Sequence, residues 1–195
     1  IAGAGSFPRY VAQEAKRRGL KVVAIGLQGW AEPSLAQDAD VYEEIAVGQL
    51  GRLITRLKAH QVRQAVMAGK VTKGVFFDPR LRFDAETLGL LSQVQGFSVN
   101  ALLGAIADRL AKEQITLLDS STFLKDCLCP AGVLSRRAPT REEEEDIRIG
   151  RAAATQLANL DIGQTVVVRR KVIVAVEALE GTDAAIQRAS QLAGR

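Results

Sequence analysis

The sequence predicts an α/β protein with a parallel sheet, followed by a smaller domain of mixed helix and strand. Three observations carry this. Short β-branched runs alternate with amphipathic helical segments through the first part of the chain, the signature of βαβ crossovers and parallel pairing. The stretch 126–139 breaks that rhythm with Pro130, Pro139, Gly132 and the pair Arg136-Arg137. Beyond it come a long helical segment, two adjacent β-rich runs and a final helix. The expected division is a first domain over 1–134 and a second over 135–195.

In order, Ile1-Ala2 reads as the end of a strand whose beginning lies upstream of this sequence. A turn, Gly3-Ala4-Gly5-Ser6-Phe7, leads into a helix over 8–18. Pro8 suits its first turn, where a missing N–H costs nothing, and Arg17 and Arg18 suit its negative end. Residues 21–27 form the continuous apolar run of a buried parallel strand, and 41–47 is a weaker strand. Leu50, Leu53, Ile54 and Leu57 have helical spacing. Residues 62–68 return to a strand that stops at Gly69-Lys70, helices are expected over 84–95 and 98–113, and 115–118 is a strand ended by Asp119. Thr140 with Glu143 three residues on is a capping-box pattern, opening a helix that runs to about Asn159. The acidic residues 142–146 then complement the helix dipole. Residues 165–168 and 171–176 read as a hairpin whose Arg169-Arg170 link lacks the favoured Asn-Gly chemistry. An amphipathic helix with Ile186, Ala189 and Leu192 closes the chain, with Thr182 as its expected cap.

Composition excludes several classes. The 195 residues are 47% hydrophobic and 25% charged, as in folded water-soluble proteins and unlike disordered, collagenous or coiled-coil chains. No run approaches the roughly 18 apolar residues of a membrane-spanning helix, and the first residues lack the basic and apolar regions of an export signal. Two cysteines, Cys127 and Cys129, are too few for a disulfide framework and fit a reducing cytosol. With His60 the single histidine, neither a histidine-based triad nor a multi-histidine zinc site has its raw material. Chemistry therefore falls to carboxylates, lysine, backbone amides or a hard cation. The net charge of +4 favours anionic partners. Aromatics at 5% give no stacking surface for nucleic acid, which is not an expected partner.

Three constellations remain. Gly3-x-Gly5 at a strand-to-helix junction allows close approach of a phosphate to a helix N-terminus. It is equally a plain tight turn, and Pro8 stands where a dinucleotide fingerprint wants its third glycine, which counts against a Rossmann oxidoreductase. Gly69-Lys70 ends a buried strand, where open α/β sheets bind ligands. It lacks the glycine spacing and the following Ser or Thr of a P-loop, so Lys70 reads either as a phosphate contact or as a solvated lysine. Asp161, Gln164, Glu177, Glu180 and Asp183 concentrate polar groups around the apolar hairpin. On a continuing strand Glu177 shares a face with Ile173 and Ala175. Converging carboxylates there suit Mg²⁺; the plain alternative is a solvated Glu177 and a dipole-complementing Asp183.

Four segments together carry a family resemblance: Gly3-Ala-Gly-Ser-Phe-Pro8, Met67-Ala-Gly-Lys-Val71 with Lys73, Leu160-Asp-Ile-Gly-Gln-Thr-Val-Val-Val168, and Val174-Ala-Val-Glu-Ala-Leu-Glu-Gly-Thr-Asp183. Across nearly the whole chain the sequence resembles the LpxI-type UDP-2,3-diacylglucosamine pyrophosphatases. The resemblance implies an N-terminal Rossmann-like domain and a C-terminal α+β catalytic domain holding the lipid between them. It also implies cation-dependent hydrolysis of UDP-2,3-diacylglucosamine to lipid X and UMP in lipid A synthesis of Gram-negative bacteria. Glu180 and Asp183 are the expected metal or water-handling carboxylates, with Glu177 beside them as a catalytic candidate and Mg²⁺ or another divalent cation as cofactor. Gly3, Gly5, Ser6, Phe7, Gly69, Lys70, Asp161, Gln164, Gly181 and Thr182 are the expected substrate contacts. A cytoplasmic protein peripheral to the inner membrane follows, with a homodimer left open. The family continues past Asp183 into a segment holding a further catalytic acid, so the second domain is expected to be incomplete here. The rival reading is a non-catalytic module that binds a sugar nucleotide or lipid precursor.

Overall fold

The computed structural model describes residues 1–93 and 99–194. The chain divides into two compact units, Ile1–Cys129 and Pro130–Arg195.

In the first unit, β1 (Val23–Leu27) pairs in parallel with β2 (Val41–Ile45), and β3 (Gln64–Val66) pairs in parallel with β4 (Thr116–Leu118). The opening residues join these two ribbons: Ala2 bridges Gly26 on one side and Ala68 on the other, both parallel. The Ala2 N–H donates to Ile25 O at 2.9 Å and the Ala68 N–H to Ile1 O at 3.0 Å. The lateral order is therefore β2, β1, the opening residues, β3, β4. The chain moves outward one way through β1 and β2, then resumes on the other side with β3.

Alternation along the strands sends side chains to two faces. Ala2 and Ala24 meet Ala12 and Leu35 on one face, where small residues let α1 (Phe7–Arg17) approach closely. Ile25 points to the other, into a cluster with Ile45, Leu57, Leu110 and Ile115. Here α2 (Leu50–Ala59) buries Leu50, Leu53, Ile54 and Leu57, the i, i+3, i+4, i+7 stripe of an amphipathic helix. Each such side chain contributes roughly 1.5–3 kcal/mol. Next come α3 (Ala85–Leu91) and α4 (Val99–Lys112). The helices expected over 84–95 and 98–113 appear here, and residues 94, 95 and 98 of that expectation lie outside the described residues. Asp84 serves two helices. One carboxylate oxygen caps α3 by accepting from the Thr87 N–H at 2.8 Å; the other accepts from the Gly51 N–H of α2 at 2.8 Å.

In the second unit, α5 (Arg141–Asn159) starts with the predicted capping box. Glu143 accepts from the Thr140 N–H at 2.7 Å and also takes the Arg137 guanidinium in two hydrogen bonds of 2.7 and 2.8 Å. The hairpin of β5 (Val166–Arg169) and β6 (Val172–Val176) is antiparallel, and α6 (Thr182–Ala193) follows. Its two-residue turn is Arg170-Lys171, one position later than expected, with φ of 51° and 66°. Two left-handed non-glycine residues cost roughly 1–2 kcal/mol each. Asp146 on α5 offsets this by accepting both turn N–H groups, Arg170 at 2.9 Å and Lys171 at 2.6 Å.

Two local expectations change. The ladder slips between Val167 and Val168, leaving Val174 as an extra residue. Because a bulge breaks the two-residue alternation, Ile173 is 43% exposed while Ala175 is 6% exposed, and Glu177 does not share one face with both. Thr182 is the first residue of α6 rather than its cap; Gly181, at φ 87°, holds the cap position. Among the described residues, no helix is long and apolar enough to cross a membrane.

Candidate functional site

The candidate ligand site of the first unit lies where the lateral strand order reverses, between the opening residues and β3. Ligands of open α/β sheets gather at the carboxyl ends of strands at such a reversal. Two turns meet there. The Gly3 N–H donates to Ala68 O at 2.8 Å, and Ala4 and Lys70 exchange backbone hydrogen bonds of 2.8 and 3.0 Å. These two N–H groups, of Gly3 and Ala4, are thus committed to the protein. In the first turn of α1, Pro8 has no N–H and the Arg9 and Tyr10 N–H groups donate to Ser6 O at 3.0 and 3.3 Å, so donors for an anion fall to the N–H groups of Gly5, Ser6 and Phe7. Gly5, at φ 90°, has open space around its α-carbon, and Ser6 and Phe7 are exposed beside it. Lys70 is exposed at the same turn. Arg9, by contrast, is occupied: it donates to Asp38 at 2.5 Å, and Gln13 donates to the same carboxylate at 2.9 Å.

The same edge opens into a cavity of about 590 Å³ on the face opposite α1. Lys70, Val71 and Phe76 stand at its exposed end, while Leu50, Leu53 and Leu90 close it from the core. Its lining is almost wholly aliphatic and aromatic, with Gly3 and Gly69 forming part of the wall. The resemblance implies an apolar groove for acyl chains, but no spacing along the sequence places this cavity, because its walls come from segments as distant as Ile1 and Ile106.

In the second unit the polar residues form two small networks. Glu177 accepts from the Thr182 hydroxyl at 3.0 Å and from the Gln164 N–H at 3.3 Å. Hydrogen bonding to Thr165, helped by Thr182 and the Gln164 amide, holds its carboxyl below the usual range against the opposing effect of desolvation. Gly163 is required at this contact, since a methyl group there would lie 2.7 Å from the carbonyl carbon of Glu177. Asp161, at φ 54°, enters the same turn. The Glu180 carboxylate accepts from Arg188 at 2.9 Å and from the Ala178 N–H at 3.1 Å. Arg188 also donates to Val176 O at 2.7 Å, tying α6 to the end of β6. Arg188 carried no sequence signal, being eight residues from its partner and outside every quoted motif. Asp183 is exposed in the first turn of α6. Among the described residues, no three His, Cys, Asp or Glu side chains are grouped to hold a metal. The cysteines Cys127 and Cys129 are free and exposed.

Comparison with protein families places both units. Residues 1–127 match the LpxI N-terminal domain and residues 130–195 match the LpxI C-terminal domain. The chain belongs to the LpxI family. One LpxI protein, the UDP-2,3-diacylglucosamine pyrophosphatase LpxI of Caulobacter vibrioides, is 30% identical over 195 residues, covering 98% of this chain and 68% of that protein. Within this LpxI chain, Gly3, Gly5, Ser6, Phe7, Gly69 and Lys70 come together at one sheet edge. Asp161, Gln164, Glu177, Gly181 and Thr182 gather around the turn before β5 and the start of α6. Glu180 lies next to that group but is engaged by Arg188.

Proposed function

We propose that this chain hydrolyses the diphosphate of UDP-2,3-diacylglucosamine, giving 2,3-diacylglucosamine 1-phosphate and UMP in lipid A synthesis. The observation that carries this reading is the apolar cavity opening beside Lys70 and the Gly3–Gly69 contact. An apolar slot joined to a cation and a helix N-terminus suits a molecule in which an acyl chain and phosphates belong to one ligand. Family membership and the name of the Caulobacter protein agree with it. The reversal of strand order supports reading the first unit as Rossmann-like, with phosphates at the carboxyl ends of its strands.

In the proposed reaction water attacks one phosphorus, the bond from that phosphorus to the bridging oxygen breaks, and the second phosphate leaves with that oxygen. Positioning and charge neutralisation supply most of the catalysis in such a transfer. Lys70 neutralises phosphate charge, and the N–H groups of Gly5, Ser6 and Phe7 at the entry to α1 take part of the rest. Asp183 handles the attacking water or a cation, while Glu177 holds the Gly163-Gln164 turn and Thr182 in place. Mg²⁺ or another divalent ion belongs to the proposal as cofactor, since magnesium uses one or two carboxylates together with substrate phosphates. The residues fit it only in part: Asp183 is exposed and could hold the ion, whereas the Glu180 carboxylate is engaged by Arg188 and would have to give up that contact to join it. A substrate with acyl chains also places the protein at the inner-membrane surface in this reading.

The test is incubation of full-length protein with UDP-2,3-diacylglucosamine, with and without Mg²⁺, followed by identification of the nucleotide. UMP is the expected product. Release of UDP, or tight binding with no nucleotide released, overturns the hydrolase reading, the second result favouring a binding module.

A further inference from the structure

The substrate proposed above is a membrane lipid, and the first unit carries a surface suited to meeting it in a bilayer. Resting on that reading for its purpose, we propose that the loop after β3, residues 71–82, docks on an anionic lipid surface with the Phe77 ring set below the headgroups. At 75% exposed, Phe77 is the most exposed large apolar side chain among the described residues. Gly74, Phe76, Pro79, Arg80 and Arg82 around it are exposed as well. Positive charge gathers in the same place. Lys70, Lys73, Arg80 and Arg82 are set against a single acid, Asp78, so residues 70–82 carry +3 of the chain's net +4. Arg80 pairs with Asp78, whereas Lys70 and Arg82 form no ion pair among the described residues.

The ring is held on an ordered turn. Phe77 ends a single-turn 3₁₀ helix, Lys73–Phe77, and the Asp78 N–H after it donates to Val75 O at 3.1 Å. The Asp78 carboxylate then accepts from the Arg80 N–H at 2.8 Å and from its guanidinium at 3.0 and 2.9 Å. Arg82 closes the turn by donating to Pro79 O at 2.6 Å and to Leu81 O at 2.9 Å. A side chain presented this way gives up little backbone freedom on binding. A bilayer supplies both complements at once: negative potential for the cations and, just beneath the headgroups, an apolar layer for the ring. A nucleic acid would require a row of rings for successive bases. The same loop carries Lys70, Val71 and Phe76 at the exposed end of the cavity, so docking here sets the proposed phosphate contact at headgroup depth.

The experiment sediments full-length protein with phosphatidylcholine vesicles that contain or lack phosphatidylglycerol. Binding is expected with the anionic vesicles, and it should weaken as salt is raised. Phe77→Ala should bind about tenfold more weakly and Arg82→Gln about fivefold, both at the wild-type unfolding temperature. Trp30 is the single tryptophan, so Phe77→Trp in a Trp30→Phe background reports on position 77 alone; its emission should shift to the blue on anionic vesicles. Unchanged binding of Phe77→Ala or an unshifted emission overturns the proposal. So does a lowered unfolding temperature of Phe77→Ala, which would mean that protein covers the ring in the full-length chain. UMP release from detergent-dispersed substrate is measured in parallel. Release by a protein that ignores the vesicles overturns the docking surface and leaves the hydrolase reading standing. Vesicle binding that Phe77→Ala weakens, with no UMP released, ends the hydrolase reading and leaves the docking surface.

Discussion

Gly3 and Gly69 are pressed backbone to backbone: a methyl group on Gly69 would lie 2.7 Å from the carbonyl carbon of Gly3. A methyl on Gly3 would in turn lie 2.7 Å from the carbonyl oxygen of Lys70. The two turns that flank the candidate phosphate site therefore lock each other, and Lys70 is carried on a rigid platform.

Gly69→Ala should accordingly destabilise the first unit by about 3 kcal/mol, combining a left-handed φ with a backbone clash. Gly5→Ala, at φ 90° with nothing within 4 Å, carries only the conformational cost of about 1–2 kcal/mol. Urea unfolding of the two variants checks the ordering; equal losses would contradict the contact.

Lys70→Ala should leave the unfolding temperature unchanged, since Lys70 forms no ion pair among the described residues and its side chain is exposed. It should raise KM for the sugar nucleotide about tenfold. Titration in increasing salt should weaken wild-type binding and leave the variant less affected, because screening acts on the lost charge pair.

Asp183→Asn should lower kcat by at least about a hundredfold with little change in KM or stability. Glu180→Gln releases the Arg188 pair, whose exposed members contribute only about 0.2–1 kcal/mol. A smaller kcat loss for Glu180→Gln than for Asp183→Asn, measured as UMP release, is the expected ranking. Unchanged kcat in Asp183→Asn removes that residue from the mechanism.

Glu177 couples the second unit to acid. Its carboxyl lies below its ordinary value of 4.5 in the folded state. Its contribution to stability is thus complete above that value and is lost as pH falls through the lower folded one. Glu177→Gln should flatten the acid limb of a pH–stability profile below about 4.5 and leave its alkaline side unaltered.

The turn of the β5–β6 hairpin should accept improvement. Replacing Arg170-Lys171 by Asn-Gly keeps both left-handed φ values and relieves the strain fully at the glycine and in part at the asparagine, a net gain of about 1–2 kcal/mol. Asp146→Ala should cost about 1–3 kcal/mol by stripping both turn N–H groups of their acceptor. Thermal unfolding of both variants provides the check.

The amino-acid sequence determined the parts whose causes are local. The helical stripe from Leu50 to Leu57, the Thr140–Glu143 capping box, the parallel run read at 21–27 and the β5–β6 hairpin all rest on spacings of a few residues. Short-range backbone and packing preferences are enough to set them. The tertiary structure decided what depends on distant segments meeting. It set the lateral strand order that brings Gly3 against Gly69, the cavity walled from Ile1 to Ile106, the capture of Glu180 by Arg188, and the bulge at Val174 that moves Ile173 off the face of Ala175. These contacts are fixed by how strands order and helices pack across the chain, where period and propensity carry no information about which residues become neighbours.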